Sequence, residues 1–143
     1  MMANLPYSEE MLRNYFLEDF KEANQRLICE VPVFCRSIDV VKYNSVSHEV
    51  SAIEFKLANW RRAINQALRV GLCFDFLEIC IPKPKTEKAI NTIVHTCSEQ
   101  GIGLYFYNYG TNTFEYTLQP KHIENIWAIQ KASVINYIKE ALI

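Results

Sequence analysis

The sequence predicts an α/β fold in which a mixed central sheet is flanked by helices. In residues 53–57 apolar and polar side chains alternate, which is typical of a strand, and from Trp60 to Ala67 the apolar spacing becomes that of a helix. Residues 75–81 are almost continuously apolar, as expected for a central strand covered on both faces. No linker or repeat interrupts the 143 residues, so residues 1–143 are predicted to form a single domain.

Local patterns place each element along the chain. Ser8 is a predicted N-cap, because Glu9 and Glu10 follow it in the first turn of an apolar-periodic helix that runs to about Arg26. The remaining elements are predicted as strands at 27–34 and 37–43, a hairpin loop at 44–49, a strand at 50–57, a helix at 59–70, a strand at 75–81, a helix at 86–100 ended by Gly101, a C-terminal β-hairpin at 103–109 and 114–118, and a helix at 121–142.

The charge balance excludes a nonspecific coat for DNA. Lys and Arg number 15 against 16 Asp and Glu, for a net charge of −1, which still permits a local basic patch. The N-terminus carries no basic segment followed by an apolar run, and no stretch has the ~18 apolar residues of a membrane helix. These observations predict a cytoplasmic protein that is not bound to a membrane.

The five cysteines form no CxxC pair, which argues against a disulfide framework or a structural zinc site. Cys73, Cys80 and Cys97 have mostly apolar neighbours, so they are predicted to be buried, reduced thiols. The sequence Gly101-Ile102-Gly103 lacks the further glycine and lysine of a nucleotide-binding loop, and no nucleotide cofactor is expected.

Acidic and basic residues on two neighbouring strands suggest a site. Asp39 lies between Ile38 and Val40, and it converges with Glu54 if the second and third strands pair as a hairpin. Two carboxylates are hard oxygen ligands suited to Mg²⁺ or Mn²⁺, and a metal held by them can polarise a phosphodiester and lower the pKa of a bound water. Lys56 would then orient that water and stabilise developing negative charge.

Asp39, the Glu54-Phe55-Lys56 triplet and Gln66 on the following helix resemble the PD-(D/E)XK nuclease superfamily, which has the restriction-endonuclease-like fold. The predicted αβββαβ order from Ser8 to Ile81 is similar to the core of that fold. The resemblance implies that Asp39 and Glu54 are ligands of Mg²⁺ or Mn²⁺, that Lys56 is the catalytic lysine and that Gln66 supports it. It also implies that the substrate is DNA.

Further acids could complete the metal site. Some members of the superfamily add a glutamate from the first helix, for which Glu18 and Glu22 are both candidates. Glu30, on the first strand, is a third candidate and is ranked above them, because neighbouring strand positions are better fixed.

Arg61, Arg62 and Arg69 on the second helix are candidate contacts for the phosphates of DNA, because a guanidinium group binds phosphate bidentately. The alternative is a solvated helix face, or ion pairs with Asp75 or Glu78. A homodimer is a further expectation, because cutting both strands of a duplex needs two sites.

Two functions from different classes follow from these residues. The first is a metal-dependent nuclease that hydrolyses DNA phosphodiester bonds. The second is a catalytically inactive module of the same fold that binds DNA or protein, because a fold can outlast its active site.

Overall fold

The computed structural model describes residues 6, 8–34 and 36–142. Within these residues, four α-helices and six strands follow one another: α1 (Glu9–Asp19), β1 (Gln25–Val33), β2 (Arg36–Asn44), β3 (Val50–Phe55), α2 (Trp60–Arg69), β4 (Phe76–Pro82), α3 (Glu87–Gln100), β5 (Gly103–Asn108), β6 (Thr113–Leu118) and α4 (Ala128–Ala141). A 3₁₀ turn, Gly71–Cys73, joins α2 to the segment before β4. The predicted α/β class is confirmed.

The six strands form one mixed sheet in the order β1-β2-β3-β4-β5-β6. The pairs β1–β2, β2–β3 and β5–β6 are antiparallel, whereas β3, β4 and β5 run parallel to one another. Two hydrophobic clusters cover the sheet. The larger cluster joins it to α2, α3 and α4, and the smaller lies under α1. The central strands are therefore covered on both faces, as their apolar sequences predict.

The first helix is shorter than the sequence predicts. Ser8 caps it as expected, with its hydroxyl accepting a hydrogen bond from the Met11 N–H at 3.1 Å. The helix ends at Asp19 instead of continuing to about Arg26, because Phe20 is extended and Asn24 has a φ of 67°. An 11-residue helix covers only part of its face of the sheet.

The last helix also begins later than predicted. Residues 121–127 are not helical, because their N–H groups bind neighbouring segments instead of preceding turns. The Ile123 N–H donates to the Asp75 carbonyl at 2.8 Å, and the Trp127 N–H donates to the Leu72 carbonyl at 2.8 Å. The helix that follows is confirmed from Ala128 onwards.

The predicted state of three cysteines is confirmed. Cys73, Cys80 and Cys97 are buried, free thiols, and Cys29 is a free, half-buried thiol. Cys35 lies outside the described residues. Among the described residues, no helix is long and apolar enough to cross a bilayer.

Gly103, at the start of β5, has no room for a side chain. A Cβ atom there would lie 2.8 Å from Pro120 Cδ and 3.0 Å from Glu78 Cγ. Both neighbours are held in packed positions, so a Gly103→Ala variant should lose about 1–3 kcal/mol of unfolding free energy, as measured by urea denaturation. Gly110→Ala is the matched control, because the nearest atom to its Cβ is 3.3 Å away in an exposed turn. Equal losses in both variants would contradict the prediction.

Candidate functional site

Strands β2 and β3 bring Asp39 and Glu54 together. Val40 pairs with Ile53, so Asp39 and Glu54 occupy the next position of the same antiparallel register. The Phe55 N–H donates to Asp39 Oδ2 at 2.9 Å, which fixes this carboxylate against β3. Glu54 is buried, with 1% of its surface exposed. The convergence that strand alternation predicts is therefore present.

Arg36, which the sequence reasoning missed, binds the same pair. Its Nη2 lies 2.8 Å from Glu54 Oε1, and its Nη1 donates to the Gln66 backbone carbonyl at 2.9 Å. One guanidinium thus joins β2, β3 and α2. No local pattern indicates this role, because Arg36 is 18 residues from Glu54 and 30 from Gln66.

The surroundings of Glu54 raise the pKa of its carboxyl group. Burial raises the pKa of Glu54 to about 8, and Asp39 adds to this through its charge and a side-chain hydrogen bond. Arg36 and Lys56 act in the opposite direction without cancelling the effect. A buried carboxyl whose pKa is raised in this way beside a second carboxylate is typical of functional sites.

Lys56 lies one residue beyond β3 and is held on both sides. Its N–H donates to the Cys80 carbonyl at 3.2 Å, and its Nζ lies 3.3 Å from Glu9 Oε1. The acid that α1 contributes here is therefore Glu9, in the first turn, and neither Glu18 nor Glu22 makes this contact. Glu22 instead lines a cavity that contains neither Glu54 nor Lys56.

Glu30 lies at the edge of this region. It lines a cavity of about 170 Å³ together with Asp39 and Glu9, but its side chain is exposed and its carboxylate faces Arg13 Nη1 at 3.4 Å. In the described part of the chain, no three His, Cys, Asp or Glu side chains come together as a metal-binding group. The potential metal ligands that the structure brings together are the pair Asp39 and Glu54.

The outer face of α2 carries the other predicted residues. Arg61, Arg62, Arg69 and the half-buried Gln66 line an open cavity of about 280 Å³. Within residues 8–34 and 36–142 none of the three arginines forms an ion pair, and the Gln66 amide forms no hydrogen bond. The Arg61 guanidinium lies 4.2 Å from the centre of the Trp60 ring, and Trp60 itself packs against the core.

The alternative ion pairs of the arginines are not found, because Asp75 and Glu78 have other partners. Asp75 Oδ1 lies 3.1 Å from His122 Nε2 and 2.9 Å from Lys131 Nζ, and Asp75 Oδ2 accepts a hydrogen bond from the Val50 N–H. Glu78 pairs with Lys42 at 3.0 Å. The arginines of α2 therefore face solvent.

Comparisons with known proteins describe the fold alone. No family model and no curated protein matches the chain. A solved structure, the SPO1766 protein of unknown function from Silicibacter pomeroyi, is similar with a TM-score of 0.59 and 12% sequence identity. The similarity covers 92% of this chain and 81% of that one, so the α/β architecture is shared over nearly the whole domain.

The raised pKa of Glu54 predicts how stability depends on pH. Between its ordinary value of 4.5 and about 8, the folded chain binds more protons at Glu54 than the unfolded chain does. The free energy of unfolding therefore falls as pH rises through this range, and the contribution of Glu54 is fully present only below it. From pH 5 to pH 8.5, the unfolding free energy of the native chain should fall by about 2–4 kcal/mol relative to that of Glu54→Gln, whose side chain does not titrate.

Urea denaturation of both proteins across this pH range measures the difference. Glu30→Gln is the matched control, because it removes an exposed carboxyl from β1, two strands away in the same sheet. Parallel pH curves for the native chain and Glu54→Gln would contradict the prediction.

Proposed function

We propose that this protein is a metal-dependent nuclease that hydrolyses DNA phosphodiester bonds, with a PD-(D/E)XK arrangement of residues. The observation that carries the proposal is the buried Glu54 beside Asp39, with Lys56 two residues further along, just beyond the end of β3. The order α1-β1-β2-β3-α2-β4 agrees with the αβββαβ core that the resemblance implies. A restriction-endonuclease-like fold is part of the same proposal.

The chemistry of Asp39 and Glu54 fits a hard divalent cation. Both are oxygen donors, and burial together with the neighbouring Asp39 raises the pKa of Glu54 by more than Arg36 and Lys56 lower it. Mg²⁺ or Mn²⁺ bound by these two carboxylates would polarise the scissile phosphate and activate a water molecule. Glu30 lies at the edge of the same region, where it could bind an outer water of the cation.

The remaining residues would position the substrate. Lys56 follows Glu54 by two residues and its charge acts on Glu54, as the last of the influences on the pKa of that carboxyl, and it would stabilise the negative charge that develops on the phosphate. Glu9 positions Lys56 through the 3.3 Å contact between their side chains. Arg61, Arg62 and Arg69 would contact phosphates along the DNA backbone, with Gln66 between them and the acidic pair.

A catalytically inactive module that binds DNA or protein is the second candidate. The observation that favours it is the Arg36 guanidinium, which is bonded to Glu54 and to the Gln66 carbonyl and thereby supplies positive charge where a metal would. In this case the acidic pair and Arg36 would stabilise the fold, and the arginines of α2 would still bind an anionic partner. The two candidates differ in whether the acidic pair binds a divalent cation.

Cleavage of labelled DNA tests the catalytic proposal directly. Single-stranded, duplex and branched substrates should be cut with Mg²⁺ or Mn²⁺ and left intact with EDTA. Glu54→Ala and Lys56→Ala should each lower the rate about 100-fold, because one removes a metal ligand and the other the charge that faces the phosphate. Glu18→Ala and Lys88→Ala, at exposed positions on α1 and α3, are matched controls that should keep full activity. Unchanged cleavage by Glu54→Ala would falsify the assignment.

Removing Arg36 distinguishes the two candidates. In a metal-binding site the guanidinium competes with the cation for Glu54, so Arg36→Met should bind Mg²⁺ about tenfold more tightly than the native chain. The measurement is isothermal titration calorimetry, supported by the shift in thermal unfolding at millimolar Mg²⁺. Absence of Mg²⁺ binding in both a folded Arg36→Met and the native chain would support the inactive module.

The arginines of α2 should dominate DNA affinity if DNA is the partner. Replacing Arg61, Arg62 and Arg69 by alanine removes up to three phosphate contacts, which should weaken binding and reduce the slope of log affinity against log salt by about 2 to 3. Fluorescence anisotropy over a range of salt concentrations measures both effects. A triple variant of Lys85, Lys88 and Lys139, all exposed, changes the net charge equally and should leave the slope unchanged.

A further inference from the structure

The cavity that Glu22 lines lies on the face of the sheet that α1 covers only in part. Its volume is about 260 Å³, and it contains none of the residues of the acidic pair, Lys56 or the arginines of α2. The short α1 packs over Phe55 and Tyr107, which leaves the opposite end of this face accessible. The cavity is lined by side chains that include Glu22, Lys42, Glu49, Ser51, Phe76 and Tyr116.

The floor of the cavity is a buried network with one positive and one negative charge. Lys42 Nζ lies 3.0 Å from Glu78 Oε1 and donates to the Tyr105 hydroxyl at 3.0 Å. The Tyr116 hydroxyl donates to the other oxygen of Glu78, and its ring stacks on that of Tyr105. Because Glu78 neutralises Lys42, the floor carries no net charge that would repel a cation.

Ser51 provides an unused polar group on this floor. Its side chain is 94% buried, since only 6% of the residue is exposed, and it lines the cavity. Its hydroxyl forms no hydrogen bond with any residue in the described part of the chain. A hydroxyl that faces a cavity and has no protein partner is available to a ligand.

Two carboxylates at the rim lack a matching cation. Within the described residues neither Glu22 nor Glu49 forms an ion pair with a lysine or an arginine, and His122 Nε2 lies 3.9 Å from Glu49 Oε2. Burial, then Glu78 and, more weakly, Glu22 raise the pKa of the Tyr116 hydroxyl, which puts the Glu22 carboxylate near the floor. The cavity is therefore negative overall, and a ligand that enters it has to bring positive charge or N–H donors.

We propose that this cavity binds a small organic cation that carries an ammonium or guanidinium group. Glu22 and Glu49 would receive its charged N–H groups, and the Ser51 hydroxyl would accept a further hydrogen bond at the floor. The rings of Phe76 and Tyr116 also line the cavity, and the Lys42 ammonium, 5.2 Å from the centre of the Tyr116 ring, is an example of the cation contact that such rings favour.

The proposal does not depend on the nuclease proposal, because the two sets of residues are separate. A protein without any nuclease activity could bind an organic cation here. Equally, loss of cation binding would leave the predictions for Asp39, Glu54 and Lys56 untouched.

Agmatine and putrescine are suitable probes, because one carries a guanidinium and an ammonium group and the other carries two ammonium groups. Calorimetry and thermal unfolding of the native chain at low salt should show saturable binding of at least one of them. Glu22→Gln combined with Glu49→Gln should weaken this binding at least about tenfold, because both charged contacts are lost at partly exposed positions that do not support the fold. Glu18→Gln combined with Glu87→Gln removes the same charge elsewhere and should bind as the native chain does.

Ser51→Ala tests the floor of the cavity, and its affinity for agmatine should fall by a factor of about 3 to 10 while its unfolding temperature changes little. The proposal would be overturned by the absence of saturable binding of either probe, by equal weakening in the control variant, or by competition from Mg²⁺ at the same concentration as agmatine. Binding of inorganic phosphate or a nucleotide to this cavity in place of the cations would also overturn it.

Discussion

The buried carboxylates in and beside the sheet are the constraint on which the rest of the structure depends, because each of them needs a cation nearby. In the described residues three are buried, and each is matched by a cation from a separate part of the chain: Glu54 by Arg36, Asp75 by Lys131 and Glu78 by Lys42. An unmatched buried carboxylate costs several kcal/mol, so these contacts are strongly favoured once the sheet forms. They connect β2 to β3 and β4, and α4 to the residue that precedes β4.

The carboxylates on β3 and β4 are compensated to different degrees. Glu78 forms an ion pair with the Lys42 ammonium group through one oxygen and accepts a hydrogen bond from the Tyr116 hydroxyl through the other. Glu54 has one guanidinium, but it also has Asp39 beside it, and burial keeps its proton affinity high. The first arrangement is what a stable core requires, whereas the second leaves a place where additional positive charge is favourable. This difference makes Glu54 the better candidate for chemistry.

Hydrophobic periodicity was sufficient to predict the order of elements, because strands and helices bury different sequence patterns. It failed at residues 20–26 and 121–127, where apolar residues continue a helical spacing but the backbone turns at Asn24 or bonds to Asp75 and Leu72. The meeting of Asp39 and Glu54 could be predicted from strand alternation across one hairpin. Arg36 and Glu9 could not, because nothing in the sequence states which distant side chains will meet. Lys42 and Glu78 did leave a signal, since charged residues among apolar strand neighbours require each other.

Glu54 and Glu78 also control which sheet can form. Glu54 pairs with Ile79, and Ile53 pairs with Glu78, so the two carboxylates occupy adjacent positions of the β3–β4 ladder and point to opposite faces. If β4 slipped by one residue, Glu78 would enter the layer beneath α2 and α3, away from Lys42, and Ile79 would turn to the face that α1 leaves partly open. The parallel strands are apolar enough to tolerate several alignments. Glu54 and Glu78 destabilise the alternative alignments of β3 and β4, so a single strand register is strongly favoured.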